Sequence, residues 1–211
     1  MNKKLIFITI LAFILRISFY SALPILWDEA SLGYNAFSLL KTGKDEYGNF
    51  LPIIFKSFGD YKPGLYVYLT LPFVFLFGLN ELSVRLPSII LGSITPLFFY
   101  YLILTINPKK NKLALLSALI LAITPFHIHF SRAAWETNIL TFELVLASLF
   151  FYKFLKNYQK INLLISSSIF GLSLYTYQSA KLISLLLIIC LQLVNIKKIT
   201  NIYCILERSK T

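Results

Sequence analysis

The sequence predicts an all-α fold: a polytopic membrane helical bundle with about six transmembrane spans and juxtamembrane or re-entrant helices in its first external loop. First, 57% of the 211 residues are hydrophobic, in long uninterrupted runs, and only 14% are charged, whereas soluble domains carry about 25% charge. Second, most Lys and Arg residues lie in short loops between those runs, as topology signals do. The net charge of +11 therefore does not indicate a nucleic-acid partner.

The first span is predicted at Leu5–Leu23, with Arg16 inside it and Lys3 and Lys4 before it. A secretory signal peptide begins in the same way, and Ser21-Ala22 offers small residues for cleavage. However, the apolar run is long enough for a span of about 20 residues. We therefore favour an uncleaved anchor whose basic start lies in the cytoplasm.

The first external loop begins with a predicted amphipathic helix from Asp28 to Gly43. Asp28 is a good N-cap, apolar residues recur at helical spacing, and Gly43 supplies a C-terminal stop. Such a helix is expected to lie at the membrane interface. The next segment, Lys44–Asp60, combines glycine, proline and mixed charges and predicts an irregular loop.

The apolar segment Pro63–Gly78 is predicted to be a re-entrant or juxtamembrane helix. It begins with a proline at a first-turn position and would extend only about 24 Å, short of the roughly 30 Å hydrocarbon core. Pro72 weakens its middle. If this segment spanned the membrane, the later basic loops would not all lie on the same side of the membrane as Lys3 and Lys4. If it returns, every basic cluster lies in the cytoplasm.

The remaining spans follow with alternating sides. They are predicted at Leu86–Ile106, Leu113–Pro125, Ile139–Leu155, Leu163–Tyr177 and Leu182–Ile196. Both termini then lie inside, and the external face collects the first loop, His127–Asn138 and Tyr177–Lys181. We expect a multi-pass protein of the plasma (inner) membrane with a cytoplasmic N-terminus and an extracytoplasmic active site.

Two adjacent carboxylates, Asp28 and Glu29, are the first candidates for chemistry because the chain has only nine acids. Two interpretations of Asp28 remain open at this point. It is either a helix N-cap that satisfies backbone amides or a general base that deprotonates a hydroxyl.

Three cations on the same predicted face are candidates for binding a phosphate, which Lys and Arg recognise well. Lys62 precedes a helix that enters the membrane surface, and Asp60 and Tyr61 beside it are candidates for lining the site. Arg85 and Arg132 are expected to converge on the same anion. For each cation, the alternative is an ordinary contact with lipid head groups.

Other polar residues give weaker indications. Glu143 lies within a span, where a carboxylate is a functional candidate by default. His127 and His129 lack the spacing of a metal site, and we expect no metal ligands. Tyr177 and Gln178 are candidates for contacting a sugar, although aromatic belts at membrane interfaces are the commoner cause. The two cysteines, Cys190 and Cys204, are expected to be inert thiols.

The absence of nucleotide-binding motifs limits which kind of sugar donor the protein could use. The sequence has no glycine-rich nucleotide loop and no Walker sequence, and no Asp-x-Asp pair offers a cytoplasmic metal–nucleotide site. A nucleotide sugar is cytoplasmic, so a donor used on the external face is expected to be a lipid-linked phosphate.

Five blocks of the sequence resemble the bacterial GT-C glycosyltransferases, including the protein O-mannosyltransferase and aminoarabinose-transferase relatives. They are "LWDEASLGYNAFSLLKTG", "DYKPGLYVYL", "LSVRLPSIILGSIT", "FSRAAWETN" and "GLSLYTYQSAKL". The acidic pair and the Lys-Pro are the most specific parts. The resemblance covers residues 1–200, as the N-terminal part of the catalytic transmembrane domain.

The resemblance implies that a sugar moves from a polyprenyl-phosphate carrier to a protein, lipid or glycan acceptor at the outer face. Asp28 would match the catalytic acid, with Glu29 its neighbour, and Lys62 the lysine that contacts the donor phosphate. Arg85 matches an arginine that opens the next span, and Glu136 is similar to a site-lining acid. Fixed cations on the phosphate would make a divalent metal or other cofactor dispensable.

One feature departs from the family. Such enzymes are typically more than twice this long, and the polar stub 201–211 resembles nothing in them. We therefore expect a truncation or a frameshift, and with it an inactive membrane protein as one alternative. A second alternative is a transporter or flippase-like subunit for lipid-linked sugars, which would be expected to carry paired charges through its spans.

Overall fold

The computed structural model describes residues 2–22 and 24–200, which are mostly helical. The helices are α1 (Lys3–Ile17), α2 (Trp27–Thr42), α3 (Leu65–Phe77), α4 (Glu81–Ile106), α5 (Asn111–Ile123), α6 (Pro125–Arg132), α7 (Glu136–Asn157), α8 (Lys160–Ser173) and α9 (Ala180–Val194). A 3₁₀ turn, Tyr20–Ala22, follows α1, and strands β1 (Ile54–Ser57) and β2 (Asp60–Pro63) form a hairpin. The predicted helical class is confirmed. The predicted stub 201–211, with Cys204, lies outside the described residues.

The chain passes six times between two ends of the bundle, with α5 and α6 counted as one bent pass. Central helix α4 packs against α1, α3, α5, α6 and α7. Arg85, near the start of α4, contacts Tyr20 at the end of the first pass. The end of the first pass and the start of α4 therefore lie at the same end of the bundle. At the opposite end, Lys3, Lys4 and Lys112 line one groove, while Lys156 and Lys198 line another. The basic clusters therefore gather at one end, as predicted.

Length separates these passes into two groups. Within residues 2–22 and 24–200, only the segment Lys3–Ala22, α4 and α7 are long and apolar enough to cross a membrane by themselves, and the α5–α6 pair, bent by 54°, makes a fourth candidate. Helices α8 and α9 have 14 and 15 residues, or about 22 Å at 1.5 Å per residue. They fall short of the roughly 30 Å core. The predicted six spans thus exist as six passes, of which three or four satisfy the length criterion.

Helix α2 ends as predicted but begins differently. Gly43 closes it in the left-handed conformation with φ 70°, which glycine adopts without strain. The N-cap is Leu26 rather than the predicted Asp28, which lies in the first turn. The Leu26 backbone N–H is instead accepted by the Glu29 carboxylate at 3.0 Å. This frees the Asp28 side chain from capping.

The segment predicted as an irregular loop, Lys44–Asp60, instead contains strand β1 and the turn of the β1–β2 hairpin. Its two turn residues, Phe58 and Gly59, have φ values of 45° and 90°, the two positive angles that a two-residue type I′ turn requires. Phe55 is buried and lies opposite Lys62 in the register. The hairpin therefore fixes where the Lys62 side chain projects. The predicted helix start at Pro63 is also wrong, because Pro63 ends β2 and Gly64 caps α3.

Helix α3 begins and ends at the same end of the bundle. At its start, the Leu65 N–H donates to the Tyr175 carbonyl at 3.3 Å in the α8–α9 turn, and the Tyr66 hydroxyl donates to the Val84 carbonyl at 3.0 Å near the start of α4. After its end, Leu79 packs against Gly33 in α2, where a Cβ would lie 3.1 Å from it and 2.6 Å from Val84. Helix α3 therefore does not cross the bundle, as expected for a juxtamembrane or re-entrant helix.

Candidate active site

The most exposed charged contact of the site is an ion pair between Asp28 and Lys62. The Asp28 Oδ1 contacts the Lys62 Nζ, and the side chains are 52% and 16% exposed, respectively. Helix α2 supplies the carboxylate and strand β2 supplies the ammonium group. The Trp27 ring packs at a tilt of 53° against Phe58 at the hairpin tip, with centroids 5.8 Å apart, which holds the two elements together. The predicted base and the predicted phosphate lysine thus lie side by side.

Glu136 completes a cluster with this pair. It lies in the first turn of α7, is buried, and interacts electrostatically with both Lys62 and Asp28. Three elements that are far apart in the chain therefore bring two carboxylates and one ammonium group together. Glu136 therefore lies within electrostatic range of the Asp28–Lys62 pair, and its role as a site-lining acid stays a prediction.

Glu29 has a different environment from its neighbour Asp28. It is 2% exposed, and Arg85 donates to both of its oxygens, from Nε to Oε1 at 2.8 Å and from Nη2 to Oε2 at 2.7 Å. The Ala134 backbone N–H also donates to Oε1 at 2.8 Å. Because Glu29 is buried and already accepts these hydrogen bonds, it is poorly placed to remove a proton from a substrate. It instead links the start of α2 to α4 and to the segment before Glu136.

The same contacts determine the protonation of Glu29. Burial by itself would raise the pKa of this carboxyl, but hydrogen bonds from Arg85, Leu26 and Ala134 and the Arg85 charge outweigh it. The pKa of Glu29 is therefore lowered from its ordinary value of 4.5. Such a carboxylate stays ionised at neutral pH, which suits a fixed anchor.

Arg85 and Arg132 are not placed as the sequence predicted. Arg85 is 1% exposed and is committed to Glu29 and to the carbonyls of Tyr20 and Pro24. Arg132 is half-buried and donates to the Leu15 carbonyl at 2.8 Å from Nη2 and at 3.1 Å from Nε. Arg85 thereby joins α4 to the end of the first pass, and Arg132 joins α6 to it. Arg85 and Arg132 therefore do not lie together with Lys62 as predicted, and Lys62 pairs with the exposed carboxylate of Asp28.

The other predicted site residues form a rim on the hairpin side. The Gln178 Nε2 donates to the Tyr61 carbonyl at 2.7 Å, so the α8–α9 turn with Tyr177 reaches the hairpin. Tyr61 is exposed, and Asp60 accepts from the Tyr61 N–H at 2.7 Å. These residues lie next to Lys62 in sequence, and Asp60 is not part of its ion pair.

A buried polar seam beside the site was not predicted from the sequence. The Asn138 Nδ2 donates to the Ser88 carbonyl at 2.8 Å, and its Oδ1 accepts from the Ser131 hydroxyl at 3.0 Å. These bonds join α7 to α4 and α6, and Asn138 lies only two residues after Glu136. The signal that could have indicated this seam is the presence of Ser88 and Asn138 beside apolar residues of α4 and α7, because a buried polar side chain needs a hydrogen-bond partner.

The intramembrane ionisable residues are used in packing. The Arg16 Nη2 contacts the His127 Nδ1 at 2.6 Å, and Nη1 donates to the Ala122 carbonyl at 3.1 Å, where α5 bends into α6. Glu143 accepts from the Thr176 hydroxyl at 2.6 Å. Among residues 2–22 and 24–200, no group of three or more His, Cys, Asp or Glu side chains is arranged to hold a metal ion.

Comparison with known proteins gives one family. The sequence model of the dolichyl-phosphate-mannose-protein mannosyltransferases matches residues 61–206, more than half of the chain. The matched range includes Lys62, Arg85 and Glu136, whereas Asp28 and Glu29 precede it. Neither the curated proteins nor the solved structures provide a match. By this match and by its helical membrane architecture, the chain belongs to the dolichyl-phosphate-mannose-protein mannosyltransferase family and is a membrane glycosyltransferase of the GT-C type.

Proposed function

We propose that the chain transfers a sugar from a polyprenyl-phosphate carrier to a hydroxyl group of a protein, lipid or glycan on the extracytoplasmic side of the plasma membrane. The observation that carries this proposal is the Asp28–Lys62 ion pair beside Glu136. It offers a carboxylate for the acceptor and a cation for the phosphate within one contact. The family description adds a donor of the matching class, a sugar on a lipid phosphate.

The proposed reaction is an inverting displacement at the anomeric carbon. Asp28 removes the proton of the acceptor hydroxyl, and the acceptor oxygen forms the new bond to the anomeric carbon. The bond between that carbon and the phosphate oxygen breaks, and the leaving phosphate keeps the electron pair. Lys62 stabilises the negative charge that develops on this oxygen.

The ion pair indicates how the role of Asp28 as the base is coupled to the role of Lys62 in binding the phosphate. Lys62 holds the Asp28 carboxylate in an ion pair. A lipid phosphate that enters the site competes for the same ammonium group, since both are oxyanions. Transfer of Lys62 to the phosphate would release Asp28 to act as the base only when the donor is bound.

The charge distribution supports this orientation. The lysine-rich end of the bundle is expected in the cytoplasm by the positive-inside rule, so we propose that Asp28 and Lys62 face the opposite side. Nucleotide sugars are cytoplasmic, whereas a lipid-linked donor can be used on that opposite side.

A lysine substitution tests the donor role. In proteoliposomes with a radiolabelled polyprenyl-phosphate mannose, Lys62→Gln should lower sugar transfer about 100-fold, because removing one donor to a developing oxyanion has about that effect. Lys56→Gln is the matched control, since Lys56 lies on the same hairpin over the Tyr47 ring. Equal loss in both variants, or no loss in Lys62→Gln, would contradict the assignment.

A further inference from the structure

A groove at the end opposite the candidate active site is not used by the proposed reaction. It has a volume of about 570 Å³ and lies between α1 and α5. Three lysines, Lys3, Lys4 and Lys112, line it together with apolar side chains that include Phe7 and Leu116. Its lining contains no acid. The groove is therefore cationic at its mouth and apolar along its length.

The helices beside the groove explain its shape. Ala114, Ala118 and Ala122 of α5 are fully buried in the cluster that also contains Leu5 and Ile8 of α1. These small side chains bring the two helices close together. The larger residues on the outer side, Phe7 and Leu116, are 65% and 53% exposed. They leave an apolar channel open to the surrounding membrane.

The charge of the groove is not balanced by the protein. None of the three lysines forms an ion pair within residues 2–22 and 24–200, where the ion pairs join Lys62 to Asp28 and Arg85 to Glu29 and Glu81. The α5 helix also begins here without a side-chain cap, so its first N–H groups add partial positive charge. A ligand with a negative oxygen-rich head group complements this end.

We propose that the α1–α5 groove binds one anionic glycerophospholipid. The phosphate head group lies among Lys3, Lys4 and Lys112, and one acyl chain lies against Phe7 and Leu116. Clusters of basic residues at the cytoplasmic ends of spans attract anionic lipids, and lysine stems cover apolar surface while their ammonium groups reach the head group. This inference does not depend on the sugar-transfer proposal, because the groove and the candidate active site lie at opposite ends.

Native mass spectrometry of the purified full chain in detergent tests the proposal, with phosphatidylglycerol and phosphatidylcholine as probes of matched acyl chains. Wild-type protein should retain one phosphatidylglycerol in preference to phosphatidylcholine. The triple variant Lys3→Gln, Lys4→Gln, Lys112→Gln should bind it about tenfold or more weakly. The control triple variant Lys153→Gln, Lys156→Gln, Lys160→Gln removes the same charge outside the groove and should bind as wild type does.

A second pair of variants leaves the lysines in place. Leu116→Trp fills the channel and should weaken phosphatidylglycerol binding, whereas Ile120→Trp, on the same helix but outside the groove lining, should not. Equal retention of the two lipids by wild type would overturn the proposal. So would equal losses in the two triple variants, or unchanged binding by Leu116→Trp.

Discussion

Asp28 and Glu29 are neighbours in the chain but have opposite environments. Asp28 is half-exposed and paired with Lys62, while Glu29 is buried and held by Arg85 and the Ala134 N–H. A helix separates consecutive side chains by about 100°, so one can face the core while the other faces the site. Asp28 is therefore accessible for the proposed role of base, while Glu29 anchors the start of α2 to α4.

The Glu29–Arg85 pair should contribute measurably to stability. Removing one partner of a buried pair leaves an uncompensated charge and typically costs about 3–5 kcal/mol. We expect Arg85→Met and Glu29→Met each to lose that much in equilibrium unfolding, and the double variant to lose less than their sum.

Glu81→Gln provides the control for this cycle. Glu81 lies 3.8 Å from Arg85 but is 40% exposed, so its loss should cost about 0–1 kcal/mol. Additive effects of Glu29→Met and Arg85→Met would show that the two residues do not depend on each other.

The same pair predicts a pH dependence of unfolding. Because the pKa of Glu29 is lower in the folded protein than its ordinary 4.5, its stabilising effect is complete above that value. It is lost as the pH falls through the folded pKa. Between about pH 7 and about pH 3, wild type should therefore lose more unfolding free energy than Glu29→Gln, which has no titrating carboxyl there. Identical losses would rule out this linkage.

At the scale of elements, α2, the hairpin and α7 each supply one member of the site. The sequence indicated α2 and α7 because their apolar periodicity, Gly43 and the long apolar run are local features. It did not indicate the hairpin, because Phe58-Gly59 is an unusual pair for a type I′ turn, in which Asn-Gly or Asp-Gly is preferred. The pairing of Phe55 with Lys62 depends on that turn.

The hydrogen-bond partners of Arg85 and Arg132 also could not be predicted from the sequence. Arg85 and Arg132 looked like free cations on the site face, but each satisfies backbone carbonyls at the end of the first pass, from Leu15 to Pro24. Leu15 lies in the last turn of α1, where carbonyl groups have no partner within the helix. Tyr20 and Pro24 lie in the break that follows α1. Only the three-dimensional packing of α4 and α6 against that break shows where the guanidinium groups go.

Helix α3 makes a testable prediction about topology. Because α3 starts and ends beside α2 and the hairpin, the turn at Leu79 should lie on the same membrane face as Asp28. In a variant with both cysteines replaced by serine, Leu79→Cys should react with an impermeant thiol reagent in intact cells. Lys109→Cys, at the lysine-rich end, should react only after permeabilisation. Protection of Leu79→Cys in intact cells would contradict a non-crossing α3.

At the scale of the whole molecule, charge is distributed between two ends. The acids of the first loop, the Asp28–Lys62 pair and Glu136 lie at one end, and the lysine clusters lie at the other. The proposed sugar-transfer site and the proposed lipid-binding groove therefore lie at opposite ends of one bundle. The six passes agree with the alternation predicted from the basic loops. The short α8 and α9 do not reach full membrane length, and the predicted spans Leu163–Tyr177 and Leu182–Ile196 were similarly short.

The central claim is that Asp28 is the base for sugar transfer, and a pair of matched amide substitutions tests it most directly. Glu81→Gln removes a partly exposed carboxyl at the start of α4 without breaking the Asp28–Lys62 ion pair. In proteoliposomes supplied with radiolabelled polyprenyl-phosphate mannose and a hydroxyl acceptor, Asp28→Asn should reduce transfer by at least about 100-fold. Glu81→Gln should retain most of the transfer activity. Equal transfer by Asp28→Asn and Glu81→Gln, with both proteins correctly inserted, would contradict the role of Asp28 as the base.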